Sequence, residues 1–166
     1  MTIHAMAPIS GGAYGQQAKP RRVFVVGYDG SVASESALRY ASEHAGRSGH
    51  VVVVHACGPG RWGFGVGMYE HAGHDYDATG AALLTRMADR MPEGVSFETV
   101  LSEAPVAKAL VDAAREHKAD EVVVGVHGWD PSERGLGGVP LALLAHADLP
   151  VVVVPGKASA GDGRCG

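Results

Sequence analysis

The hydrophobic residues of the chain fall into five short runs that are rich in β-branched side chains, and stretches with helical spacing separate these runs. The runs contain few polar residues, as expected for strands that helices cover on both faces. The five predicted strands span residues 23–28, 51–56, 95–101, 121–124 and 151–154. In the stretches between them, apolar residues recur at intervals of three and four, which predicts helices. The four predicted helices span residues 34–46, 81–91, 105–117 and 140–147.

The alternation of strands and helices predicts an α/β fold with a single doubly wound five-stranded parallel sheet and helices on both faces. Crossover connections are right-handed and each helix must bury its apolar stripe, so few other arrangements fit this order. The strand order itself does not follow from the pattern. Residues 1–20 are rich in Ala, Gly, Gln and Ser and are predicted to form a disordered leader. The folded domain is predicted over residues 21–156, with a flexible tail at 157–166.

Composition and charge exclude several classes of function. The 166 residues are 46% hydrophobic, and 14 basic and 18 acidic residues, interspersed along the chain, give a net charge of −4. This balance argues against a surface for nucleic acid or anionic membrane. The longest apolar runs are far shorter than the roughly 20 residues that span a bilayer, so we expect no membrane segment. Cys57 and Cys165 offer no disulfide framework, and this cysteine usage suits a reducing cytoplasm.

A glycine-rich loop after the fourth predicted strand is the strongest functional signal. The loop begins with Gly125, Val126, His127 and Gly128, and after eight residues it reaches Gly137, Gly138, Val139 and Pro140. A strand, a glycine-rich turn and a helix N-terminus in this order present backbone N–H groups to phosphate. No serine, threonine or lysine stands where the second pair of glycines meets the helix. A Walker lysine is therefore missing, and the chain is not a P-loop NTPase.

Three segments together resemble the universal stress protein family. Residues 27–31 (Gly-Tyr-Asp-Gly-Ser) resemble the end of that family's first strand, and residues 124–128 match its Gly-x-x-Gly loop. Residues 143–154 resemble its final helix, proline and strand. The resemblance extends from about residue 23 to residue 155. It implies the strand order 3-2-1-4-5 and, in nucleotide-binding members, a site for ATP or AMP, with or without Mg²⁺. Cyclic AMP is a further candidate ligand.

The chain departs from the family's nucleotide-binding pattern, which is Gly-x-x-Gly, nine residues, and then Gly followed by Ser or Thr. A strict count from Gly128 gives Gly138 and Val139 at the last two positions. An alignment on the helix gives Gly137 and Gly138, with a loop that is one residue shorter. We favour the second alignment because a gap in a loop is easier than a shift in a packed helix. In both cases the hydroxyl is absent, which removes about 1–3 kcal/mol if the acceptor is charged. We therefore expect weakened or altered phosphate binding.

The resemblance implies a role for each residue that matches the family's motif. Asp29 would accept hydrogen bonds from ribose hydroxyls, Ala56 would contact adenine through its main chain, and Gly125 would allow a close approach to the sugar. The remaining loop residues would surround the phosphates. The full predicted nucleotide-binding set is Gly27, Tyr28, Asp29, Ala56, Val124, Gly125, His127, Gly128, Gly137, Gly138 and Val139.

Simpler structural roles remain open for the same residues. Asp29 could form an Asx-turn or cap the start of the first helix, and the loop glycines could merely supply positive φ angles. His55 and His146 are more often packed strand and helix-end residues than functional groups.

The long stretch at residues 57–78 carries two further groups of side chains. Two histidines and two aspartates could surround a divalent metal, but spacing in a loop is weak evidence, and we predict no metal site. They are His71, His74, Asp75 and Asp77. Three aromatic residues could close over a base, cover the sheet edge or form an oligomer contact. They are Trp62, Phe64 and Tyr69.

No serine has a local base and orienting partner, which argues against dedicated hydrolysis. We therefore expect a stress-response regulatory protein that binds an adenine nucleotide, with slow ATP hydrolysis at most. The alternative is a dimeric interaction module of the same fold that has lost nucleotide binding. A homodimer is predicted because the apolar last strand would expose a sheet edge, and the resemblance implies pairing through that strand. Its residues are Val151, Val152, Val153 and Val154.

Overall fold

The computed structural model describes residues 21–56, 76–128 and 135–156. Strands and helices alternate along these residues. The strands are β1 (Val23–Gly27), β2 (His50–Ala56), β3 (Ser96–Ser102), β4 (Glu121–Gly125) and β5 (Val151–Val154). The helices are α1 (Val32–Ala45), α2 (Tyr76–Ala88), α3 (Val106–Glu116) and α4 (Gly138–His146).

The five strands form one parallel sheet in the order β3-β2-β1-β4-β5, so the predicted fold class and strand order are confirmed. β1 lies at the centre, where Val25 pairs with Val52 on one side and with Val122 on the other. β5 forms one edge and pairs with β4 through Val152 and Val123. The strand order reverses between β1 and β4, and in such sheets a crevice opens there at the carboxyl ends of the strands.

Each face of the sheet is covered by two helices. Helices α1 and α2 pack on one face, against Phe24, Val26, Val51, Val53 and Val123. Helix α3 and helix α4 pack on the other face, against Val25, Val52, Val54, Val122 and Val124. Because successive side chains of a strand point to opposite faces, a strand that is covered on both faces must be apolar throughout. This explains the continuous valine runs of β1, β2 and β4.

Three predicted helix starts are wrong by a few residues. Helix α1 begins at Val32 because the Ser31 side chain caps it and accepts a hydrogen bond from the Ser34 N–H at 3.2 Å. Pro105 does not belong to the first turn of α3 but is its N-cap, with ψ at 137°. Helix α4 begins at Gly138, and its first turn tolerates Pro140 because the missing N–H would be unpaired there.

Helix α2 differs most from the prediction, since it spans Tyr76–Ala88 where residues 81–91 were expected. A glycine normally weakens a helix interior, yet Gly80 lies inside α2. A Cβ at Gly80 would come within 2.7 Å of Leu101 Cδ1 and 2.9 Å of His55 Cδ2, so close packing accounts for the glycine. The helix ends before Met91, which precedes Pro92 and is therefore disfavoured in helical conformation.

In the described part of the chain, no helix is both long enough and apolar enough to cross a membrane.

Candidate functional site

A cleft opens at the carboxyl ends of β1, β2 and β4. The starts of α1, α3 and α4 complete its walls. All residues of the predicted nucleotide-binding set line this one cleft, although they come from four separate segments of the chain: Gly27, Tyr28, Asp29, Ala56, Val124, Gly125, His127, Gly128, Gly137, Gly138 and Val139. Their role in binding stays a prediction, but the folded chain does bring these residues together.

The cleft also includes residues outside the predicted set, namely Ser31, Ser34, Val54, His55, Val106, Leu110 and Pro140. Val106 and Leu110 belong to α3, whose apolar spacing indicated burial but not the direction of each side chain. The cleft volume is about 170 Å³, below the range of about 300–1,000 Å³ for sites that enclose drug-sized ligands. A ligand as large as a mononucleotide would therefore fill the cleft and extend out of it.

Asp29 forms an Asx-turn at the end of β1. Its Oδ1 accepts a hydrogen bond from the Ser31 N–H at 2.9 Å, and Ser31 then caps α1. Asp29 therefore has the Asx-turn role that the sequence left open. It does not exclude a ligand role, because a carboxylate can accept about four hydrogen bonds. The other oxygen, Oδ2, lies 3.0 Å from the position that a Cβ of Gly128 would take, so Asp29 and the glycine-rich loop face each other.

Tyr28 lines the cleft, but its side chain is engaged with other residues of the protein. The residue is 5% exposed and packs in the core with residues of α1 and α2. Its hydroxyl donates to Glu35 Oε1 at 2.6 Å, and Glu35 also accepts from Arg90 at 3.1 Å. Burial and the contact with Glu35 raise the pKa of Tyr28 far above its usual range. The phenol therefore stays protonated and is engaged inside the protein.

Gly125, Gly128 and Gly137 lie close to other parts of the protein, and none of them has an unusual backbone angle. Gly125, Gly128, Gly137 and Gly138 are absent from the described glycines with positive φ, so the positive-φ explanation is wrong for all four. A Cβ on Gly125 would lie 2.6 Å from Ala33 Cβ and 2.9 Å from Ala33 C. The close approach at Gly125 is therefore to α1, and access for a sugar stays a prediction.

The start of α4 presents backbone donors to the cleft. Gly137 is the N-cap and its N–H donates to Val126 O at 2.8 Å. The next two N–H groups, of Gly138 and Val139, have no acceptor within the helix because they belong to its first turn. Pro140 has no N–H to add. A helix start carries about half a positive charge, which favours an anion.

Charge in the cleft is low. Among the described lining residues, Asp29 is the only one with a formal charge, and His55 and His127 are the titratable bases. His127 lies beside α4, and its Nδ1 is 3.5 Å from Gly128 O, a distance too long for a strong hydrogen bond. Negative ligand groups would therefore rely on main-chain N–H groups and helix starts.

Several other candidates lie elsewhere. The aromatic residues Trp62, Phe64 and Tyr69, and the metal candidates His71, His74 and Asp75, fall outside the described residues, as does the side chain of Asp77. Within the described ranges, no group of three or more His, Cys, Asp or Glu residues could hold a metal ion. His146 lies in the last turn of α4, at the end opposite the cleft.

The chain thus has an open α/β fold with a cleft where the strand order reverses, which is the place where folds of this class bind their ligands. Residues 20–155 match the sequence profile of the universal stress protein family. The chain therefore belongs to the universal stress protein family.

A universal stress protein from Mycolicibacterium smegmatis is 29% identical over an alignment of 143 residues that covers 80% of this chain and 47% of the relative. The chain thus spans about half the length of that relative.

Two solved structures of the family resemble the fold described above. The universal stress protein from Archaeoglobus fulgidus, in complex with dAMP, is 26% identical with a TM-score of 0.59 over 81% of this chain and 97% of that one. A universal stress protein in complex with cAMP is 25% identical, also with a TM-score of 0.59, over 82% of this chain and 98% of that one.

Proposed function

We propose that this chain is a cytoplasmic stress-response regulatory protein that binds an adenine nucleotide, ATP, AMP or cyclic AMP, at the carboxyl ends of β1 and β4. The observation that carries the proposal is the convergence of four segments on one cleft with Asp29 on one side and the start of α4 on the other. A carboxylate suits ribose hydroxyls, and unpaired helix N–H groups suit phosphate.

The ligands of the two related structures support the choice of adenine. One is a complex with cAMP and the other a complex with dAMP, so an adenine base and a single phosphate group are common to both. Apolar side chains of Val54, Val106, Leu110 and Val139 line the cleft here, and such a lining suits a base.

The proposed role of each group in the cleft is the one that the resemblance to the family implies. Asp29 would accept from the ribose, while the main chain of Ala56 at the end of β2 would contact adenine. The N–H groups of Gly138 and Val139 would hold a phosphate beside Gly128 and His127. None of these groups is arranged as a nucleophile with a base, so the proposed role is binding, with slow ATP hydrolysis at most and Mg²⁺ only as a companion of ATP.

Isothermal titration calorimetry of the purified chain with ATP, AMP and cyclic AMP tests the proposal. We expect binding of at least one nucleotide, and Asp29→Ala should weaken it because the ribose loses its acceptor. The control is Asp112→Ala, an exposed aspartate that pairs with Lys108 on α3. Absence of binding up to millimolar nucleotide, or equal binding by the Asp29→Ala variant, would refute the proposal.

A second function, a homodimeric interaction module, is favoured by a separate observation. α4 is apolar on its outer side, where Leu141 and Leu144 are 46% and 57% exposed. Among the described strands, the neighbouring edge strand β5 pairs with β4 alone, and its valines are half-buried. Unpaired apolar edges favour association.

Sedimentation analysis of the parent chain and a Val152→Lys variant tests this second function. We expect a dimer for the parent and a monomer for the variant, because a lysine on an edge strand opposes strand pairing. A parent chain that is monomeric at micromolar concentration would contradict the dimer.

A further inference from the structure

The end of β1 is joined to β2 by one main-chain hydrogen bond and one side-chain contact. The Tyr28 N–H donates to Val54 O at 2.9 Å. In a parallel ladder, where alternate residues face the same neighbour, the next bond would run from the Ala56 N–H to Tyr28 O. Among the described residues this main-chain bond is not made. Instead, Nδ1 of the His55 side chain lies 2.8 Å from Tyr28 O.

The contact determines which imidazole nitrogen carries a proton. A carbonyl oxygen only accepts, so His55 Nδ1 must donate its N–H to Tyr28 O. Nδ1 keeps this proton in both the neutral and the charged ring, and the cap therefore does not depend on the protonation of Nε2.

The imidazole is held in place by its neighbours. His55 pairs with Leu101 of β3, and α2 passes close to the ring at Gly80. A Cβ on Gly80 would lie 2.9 Å from His55 Cδ2 and 3.4 Å from Nε2. The missing side chain of Gly80 thus makes room for the ring.

We propose that His55 is a positioning residue for the nucleotide base. The His55 side chain donates to Tyr28 O in place of the Ala56 N–H. The Ala56 N–H, which faces the edge of β2 beyond the end of β1, is therefore left for an acceptor atom of the ligand. His55 also holds the peptide that immediately precedes Asp29. The inference rests on the proposed function, because it assigns a role within the same nucleotide site.

Calorimetry with AMP on the parent and three variants tests this role. His55→Leu removes the donor and should weaken AMP binding about tenfold, the usual effect of one lost hydrogen bond. His55→Asn keeps an N–H the same number of bonds from Cβ as Nδ1, and its affinity should stay within about threefold of the parent. The matched control is His44→Leu. His44 Nδ1 also lies near a main-chain carbonyl, Tyr40 O at 2.7 Å, but on the last turn of α1, away from the cleft.

Unchanged AMP affinity in His55→Leu would overturn the inference, as would equal losses in His55→Asn and His55→Leu. If the parent binds no nucleotide, the proposed function fails, and the contact between His55 and Tyr28 O is then tested by NMR alone. Nitrogen-15 NMR of the ligand-free parent should show His55 with Nδ1 protonated and Nε2 unprotonated when the ring is neutral. The opposite tautomer would show that the cap does not form. This measurement requires no folded variant.

Discussion

Replacing Gly125 by alanine should destabilise the fold through one defined contact. The new Cβ would lie 2.6 Å from Ala33 Cβ, 2.9 Å from Ala33 C and 3.1 Å from Ser34 N. Carbon atoms in contact prefer about 3.5–4.0 Å, so β4 and the first turn of α1 would have to separate by up to about 1 Å. Two of the three atoms belong to the backbone and cannot rotate away.

Overpacking of this kind costs about 1–3 kcal/mol, and we expect the upper half of that range. For a chain of this size the loss corresponds to a fall in Tm of about 2–4 °C per kcal/mol. Urea unfolding followed by circular dichroism measures the free energy of unfolding, and a thermal scan measures Tm.

Gly156→Ala provides the matched control, because its Cβ would approach the same residue. That Cβ would lie 3.3 Å from both Ala33 Cβ and Ala33 N, a distance that small shifts relieve. We expect a change within about 0.5 kcal/mol. Both variants gain the same reduction of unfolded-state entropy, so their difference isolates the overlap at Gly125. Equal stability of the two variants would refute the packing argument.

Three further predictions concern the cleft and its surroundings. Tyr28→Phe loses the hydrogen bond to Glu35 and should cost about 1 kcal/mol in urea unfolding at pH 7. Because the pKa of Tyr28 in the folded protein is raised above its usual 10.0, the contribution of Tyr28 to the free energy of unfolding is complete below pH 10 and declines above it. A difference in the free energy of unfolding between parent and variant that stays constant from pH 8 to 11 would contradict this. Gly138→Ser adds a hydroxyl at the start of α4 and should strengthen ATP binding about tenfold in calorimetry, and an affinity equal to the parent's would count against a phosphate at that helix start. Lys108→Ala breaks an exposed pair with Asp112 and should change the free energy of unfolding by less than about 0.5 kcal/mol, whereas a loss above 1 kcal/mol would show that the pair is more than a surface contact.

The strands could be predicted because buried strands produce continuous apolar runs in the sequence. A strand that is covered on both faces is apolar at nearly every position, and β1, β2 and β4 show this pattern. The resemblance to a known family supplied the strand order. Helix α2 was harder to predict, because Gly80 looks like a boundary while its reason lies in contacts with His55 and Leu101. Such contacts between distant positions leave no periodic signal.

The residues that line the cleft could be predicted from the position of the strand ends in a parallel sheet and from the resemblance to a known family. The carboxyl ends of parallel strands meet at one edge, so Asp29, Ala56 and the loop from Gly125 had to lie near each other. The reasons for individual residues did not follow in the same way. Gly125 meets Ala33, and His55 caps Tyr28, because of distances that only the folded chain defines.

An NMR titration with AMP tests directly whether the nucleotide lies between Asp29 and the start of α4. We expect the largest shifts at the amides of Asp29, Ala56, Gly128, Gly138 and Val139. Shifts confined to another surface, such as the groove between α2 and β3 lined by Leu84 and Phe97, would contradict this location, as would saturating AMP that leaves every amide of the cleft unchanged.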